Sequence, residues 1–131
     1  MKLKEGQEFN HTFLVSNLVY GGFVEIFNDR NPLHTDVNFA REKGFKGKVM
    51  HGNILNGFLS YFVGELLPYK EVMILSQNIN FRNPVFLNDE LSFQAVVSEL
   101  SEAVKVTGFS FKFKNSEGKT VASGKMQIKD L

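Results

Sequence analysis

From Gly52 to Leu66 the chain places Ile54, Leu55, Phe58, Leu59, Phe62, Val63 and Leu66 at the spacing of one helical face, and Pro68 closes the run. A helix this apolar on one side must bury that side against another layer. The layer on offer is a sheet. Strands read near Glu8 to Ser16, Val72 to Phe81, Glu90 to Leu100, Ala103 to Lys114 and Lys119 to Lys129, the last two joined by a turn at Asn115 to Gly118. Phe109, Phe111 and Phe113 alternate with Ser110 and Lys112, and the phase changes at Gly108, which points to a bulge there. A short helix is expected around Leu18 to Asn28, and another from Val37 to about Lys43, capped by Asp36 and stopped by Gly44. The expected class is α+β, with a curved antiparallel sheet of about five strands wrapped around one long central helix.

Composition narrows the functions. With 131 residues the chain is expected to be one domain, 1–131, that buries a core unaided. It has no cysteine, so disulfides and thiol chemistry are excluded and a reducing compartment suits it. Fifteen basic and 14 acidic residues leave a net charge of +1, which offers nucleic acid no general attraction. The alternating phenylalanines read as a half-buried sheet face, not a stacking platform for bases. The N-terminal residues lack a signal-peptide core, and the longest apolar stretch is interrupted by Asn, Gly and Ser. No membrane contact is expected, and the expected location is the cytoplasm.

Chemistry concentrates in residues 28 to 36. Pro32 has no N–H and biases Asn31 away from the α region, so the preceding helix should stop near Asp29 and the chain turn sharply. Asp29 and His34 then share one stiffened loop. A carboxylate and an imidazole within reach of one water can take and return its protons, as adding water to a double bond requires. Taken alone, the same residues also describe an ordinary turn. Gly52, at the start of the long helix, allows close approach to free N–H groups that stabilise developing negative charge. It also reads as a glycine that lets helix and sheet pack closely. His34, Asp36 and His51 are poorly spaced as metal ligands, and no metal is expected.

These segments together resemble the MaoC-like family of hot-dog fold proteins, which includes the R-specific enoyl-CoA hydratases. Asp29, Asn31, Pro32, Leu33, His34 and Asp36 match the family's Gly-Asp-x-Asn-Pro-Leu-His-x-Asp signature, and His51-Gly52 falls where the family's central helix starts. Phe81 to Leu91 looks like its Phe-x-x-Pro-Val-x-x-Gly-Asp-x-Leu stretch, and the likeness spans roughly residues 8 to 128. Asn28 and Asn88 stand where glycines are usual, and asparagine is the substitute that best tolerates positive φ.

The resemblance implies a single hot-dog domain that hydrates trans-2-enoyl thioesters to (R)-3-hydroxyacyl thioesters, or dehydrates them, with Asp29 and His34 handling the water. It implies a thioester carbonyl polarised by the Gly52 N–H, with Asn31, His51, Asn53 and Ser60 around the oxyanion and substrate. Asn53, where an apolar residue is common, either tunes the substrate or caps the helix. The basic run before His51, with Lys46 and Lys48 foremost, is a candidate for the carrier's phosphates, and coenzyme A is favoured over an acyl carrier protein. The acyl thioester is the expected small molecule, with no further cofactor. A homodimer, or a higher oligomer of dimers, is the expected assembly. Two alternatives stay open: a thioesterase, for which the long helix offers Glu65 as its only acid, and a noncatalytic acyl-thioester binding subunit.

Overall fold

A computed structural model describes residues 2–131. Five strands, β1 (Glu8–Leu14), β2 (Val72–Phe81), β3 (Glu90–Ser101), β4 (Val106–Lys114) and β5 (Thr120–Asp130), form one antiparallel sheet in the order β1-β3-β4-β5-β2. The helices α1 (Asn17–Phe27), α2 (Pro32–Thr35), α3 (Val37–Glu42) and α4 (Asn53–Tyr61) all lie between β1 and β2 in the chain. α4 is the buried helix read from the sequence. Its Ile54, Leu55, Phe58 and Leu59 join a core with Phe93, Phe109, Phe113 and Met126 of the sheet. Phe58 stacks on Phe13 of β1 at 4.4 Å, and Phe62 meets Phe93 and Phe109 at 5.1 and 5.2 Å. Such ring pairs add to area burial and fix the helix over the sheet. This is the hot-dog arrangement.

The structure corrects the expected boundaries where local hydrogen bonding outcompetes pattern. β1 ends at Leu14, not Ser16, because the Ser16 hydroxyl accepts from the Val19 N–H (3.1 Å) and caps α1. The motif loop contains a helical turn of its own, α2. The long helix changes character at Phe62: residues Phe62–Leu66 are π-helical, and the Leu67 N–H reaches back to Phe62 O (3.3 Å). Pro68 supplies the reason. It has no N–H for the Gly64 carbonyl, which accepts instead from the Lys70 ammonium at 2.7 Å. The wider turn leaves Phe62, Val63 and Leu67 all buried.

The bulge expected at Gly108 is present, but the extra residue sits across from it. The register of β3 against β4 shifts between Val97 and Glu99, opposite Phe109 and Gly108, so Ser98 is the inserted residue. Gly108 accommodates it, since a Cβ there would come within 3.2 Å of the Glu99 Cβ. β4 begins at Val106 and not Ala103, after a turn in which Lys105 has φ 58°. Phe109, Phe111 and Phe113 are buried, as their alternation indicates.

Gly124 in β5 faces β2 so closely that a Cβ would overlap the Asn78 carbonyl oxygen. Because that obstacle is backbone, Gly124→Ala is expected to lower unfolding free energy by ~1–3 kcal/mol, the usual cost of overpacking, read as a lower urea midpoint at unchanged slope.

Candidate active site

The active-site loop begins where α1 ends. Asn28 caps that helix in the left-handed region (φ 56°), its N–H bonded to Val24 O at 2.8 Å, and so keeps the turn expected of a glycine there. Asn88, at φ 70°, does the same ahead of β3. Asp29 follows Asn28 with its Oδ1 accepting the Asn31 N–H at 3.2 Å. Asn31 in turn caps α2, its Oδ1 accepting from the Leu33 N–H (3.0 Å), with Pro32 at the helical position that needs no donor. The Thr35 hydroxyl donates to the carbonyls of Arg30 and Asn31, and Asp36 caps α3 through the N–H groups of Asn38 and Phe39. The signature residues therefore shape the loop. Asp29 and His34 take part in this bonding with one side-chain atom each, which leaves Asp29 Oδ2 and His34 Nε2 without a hydrogen bond among the described residues.

His34 is held from behind. Its Nδ1 lies 2.7 Å from Val49 O, and since a carbonyl only accepts, Nδ1 carries the hydrogen and the neutral ring keeps its lone pair on Nε2. The Tyr20 hydroxyl donates to His34 O at 2.6 Å, and the Val49 N–H to Leu33 O at 3.1 Å. One residue past Met50, the His51 ring stacks on His34 with centroids 3.9 Å apart. His51 is 3% exposed, and its Nε2 lies 2.9 Å from the backbone oxygen of Asp29. It packs against the dyad and also borders the smaller of the two cavities at the site.

Gly52 is the N-cap of α4, with no side-chain capping bond, and its own N–H makes no hydrogen bond among the described residues. The close-packing reading has a contact behind it, because a Cβ here would sit 2.8 Å from Cε1 of Phe81, and the unbonded N–H leaves the donor reading open. Two cavities meet around this helix start. One, of about 920 Å³, runs between α1 and α4, is walled by Leu18, Phe23, Ile26, Phe27, Ile54 and Phe58, and reaches Asp29. The other, of about 480 Å³, is lined by His34, Gly52, Phe81, Arg82 and Asn83. Asn53 lines both. It does not cap the helix; its Oδ1 accepts from Asn56 Nδ2 at 2.9 Å.

Several expected site residues lie elsewhere. Ser60 is exposed, two turns beyond Asn53, and lines neither cavity. Lys46 lies 4.5 Å over the Phe86 ring and Lys48 4.8 Å over the Tyr20 ring, both outside the cavity that holds His34. The cation on that cavity is Arg82, bonded through Nε to Ser123 Oγ at 2.9 Å. It stands within the third motif, where the Pro-Val and Asn-Asp steps carried the pattern. Glu65 lies in the π-helical turn at the opposite end of the helix from Gly52, exposed and paired with Lys70 at 3.6 Å.

Asp29, His34 and His51 offer ligand atoms within 4.8 Å of one another, close enough to ask whether they hold a metal. They are poorly arranged for it. The two rings are stacked at 30°, so their in-plane lone pairs run side by side and do not converge at the ~2.0–2.1 Å that a bound ion requires.

The family profile described as "MaoC like domain" matches residues 21–119, and the chain belongs to that family. Among particular relatives, it is 30% identical over 107 residues to the (R)-specific enoyl-CoA hydratase of Aeromonas caviae, covering 82% of this chain and 80% of that protein. It is also 30% identical over 125 residues to the mitochondrial 3-hydroxyacyl-(acyl-carrier-protein) dehydratase of Arabidopsis thaliana, covering 93% of this chain and 74% of that one. The solved (R)-hydratase from A. caviae superposes with a TM-score of 0.90 at 27% identity, over 99% of this chain and 98% of that chain.

The capping role of Asn31 is measurable as stability. Asn31→Ala is expected to lower stability by ~1 kcal/mol, and Asn31→Ser to restore most of it, as measured by urea unfolding.

Proposed function

We propose that this protein adds water to trans-2-enoyl thioesters to give (R)-3-hydroxyacyl thioesters and runs the reverse dehydration, with Asp29 and His34 as its acid/base pair. The observation that carries this is the placement of the pair: a carboxylate oxygen of Asp29 and a ring nitrogen of His34 within 4.8 Å, at the junction of two cavities and beside the free N–H of Gly52. One water spans that gap. Its oxygen bonds to C3 of the enoyl group while one member of the pair takes its proton, and a proton is delivered to C2 on the same face. The thioester oxygen carries the negative charge that develops between these events, and the Gly52 N–H, at the positive end of α4, stabilises it. The reaction needs acid, base and a hydrogen-bond donor, with no change of oxidation state, so the acyl thioester suffices as the small molecule. The relatives named for hydration and for dehydration support both directions.

The larger cavity, with its apolar walls, suits the acyl chain, and the smaller one, lined by Arg82, suits the carrier arm. Coenzyme A is the carrier we favour. Its phosphates match Arg82 and, further out, Lys46 and Lys48. A chain without cysteine also suits the reducing cytoplasm. Among the described residues no helix is long and apolar enough to cross a membrane.

We assign a homodimer on the state of the sheet edge. β2 pairs on one side only, and it exposes Met73, Leu75 and Phe81 at 47%, 46% and 55%. An edge of this kind invites a second copy. Light scattering is expected to report a dimer or a multiple of it; a stable monomer at micromolar concentration would overturn the assignment.

Replacing Asp29 by Asn, or His34 by Ala, is expected to slow hydration of crotonyl-CoA by ~10²-fold or more while circular dichroism stays unchanged, since acid/base catalysis contributes ~10²–10⁴-fold. More than half the activity left in both variants sinks the reading. The same assay run with the crotonyl thioester of an acyl carrier protein settles the carrier, where a tenfold preference for the protein-bound substrate displaces coenzyme A.

A further inference from the structure

The dyad is loosely held by its own contacts. Among the described residues the Asp29 side chain, 51% exposed, is tied by one hydrogen bond, from the Asn31 N–H at 3.2 Å, with the His51 Nε2 4.0 Å from its Oδ2. His34 has a single ring bond, through Nδ1 to Val49 O, about which the imidazole retains freedom to swing. His51 removes both freedoms. Its Nε2 faces a carbonyl, so it carries the hydrogen and donates to Asp29 O at 2.9 Å, and its ring lies against His34 with planes 30° apart. His51 is itself immobile: the Phe23 ring lies 4.6 Å from it, and its carbonyl accepts the Ile54 N–H at 3.1 Å, which joins it to the first turn of α4. The remaining polar atom, Nδ1, is buried without a partner among the described residues, and the ring borders the smaller cavity.

We infer that His51 is the positioning residue of the dyad. Its Nε2–H fixes the backbone of Asp29 and its ring face fixes the plane of His34, so one side chain sets the distance between the two groups that move protons. The inference rests on the proposed hydration. Misplacement of reacting groups by about 1 Å costs ~10²-fold in rate, which is the scale of effect expected from losing both contacts.

The two contacts separate by substitution. His51→Phe keeps the ring face and loses the donor, His51→Gln keeps a donor near the Nε2 position and loses the face, and His51→Leu keeps neither. Hydration of crotonyl-CoA is expected to fall ~10²-fold in kcat for the Leu variant and by smaller factors for Phe and Gln, with KM within about threefold of the parent throughout. A folded Leu variant with kcat within twofold of the parent, or a loss carried by KM alone, overturns the inference. Nitrogen-15 spectra of the histidine rings in the unmodified protein test the same geometry without reference to activity or to the folding of a variant. His34 is expected as the Nδ1–H tautomer and His51 as the Nε2–H tautomer, and the opposite tautomer at either ring overturns the positioning geometry. An unmodified protein inert toward crotonyl-CoA defeats the proposed reaction instead, while the ring spectra still report on the contacts.

Discussion

The site depends on the segment Val49–Gly52, which is bonded on both sides before it becomes a helix. The Met50 N–H donates to Val85 O at 2.8 Å and the Val49 N–H to Leu33 O at 3.1 Å, so one segment ties the Pro84-Val85 turn to the motif loop. Val49 O then orients His34, His51 anchors Asp29, and Gly52 presents its N–H, all within four consecutive residues. A shift of this segment would move every group of the site together. Rigid support of this kind is what a short catalytic loop requires, because most of its own hydrogen bonds are spent on holding its turn.

Much of this was legible in the sequence, for identifiable reasons. The helix face from Ile54 to Val63 and the alternation of Phe109, Phe111 and Phe113 report burial directly, and burial is what periodicity encodes. Asp29, Asn31, Pro32 and His34 were readable because a turn that must be rigid needs residues with special backbone chemistry. The failures are equally physical. The π-helical turn at Phe62 answers to Pro68 and Lys70 together, a pairing that no helical period reveals. Ser60 shares the helix face of Asn53, Asn56 and Gly57, which line the larger cavity, but it lies exposed beyond that lining. His51 is adjacent to Gly52 in the chain, but its stacking on His34 and its bond to the Asp29 carbonyl are tertiary contacts that the local sequence does not signal. Arg82 reaches the smaller cavity only because β2 ends beside the start of α4, a tertiary fact with no local signal.

The division of the site into two cavities has a chemical logic. The larger one is apolar on nearly every side, whereas Asn53 places an amide where the two cavities join, with Asn56 behind it. In the proposed reaction a polar group at that junction would sit near the part of the thioester that changes polarity. Apolar walls beyond it exclude water from the rest of the acyl chain, which strengthens the few hydrogen bonds that remain.

The order of strands also bears on when the molecule becomes competent. β3, β4 and β5 pair through short connections, whereas β1 finds β3 across the whole helical block, with Leu14 opposite Glu90. Loop closure over such a span is entropically costly and slow compared with hairpin formation. A chain emerging from its own synthesis therefore has the meander as its natural nucleus. The dyad, suspended between α1 and the Val49 segment, is expected to assemble last, when the flanking strands close on the sheet.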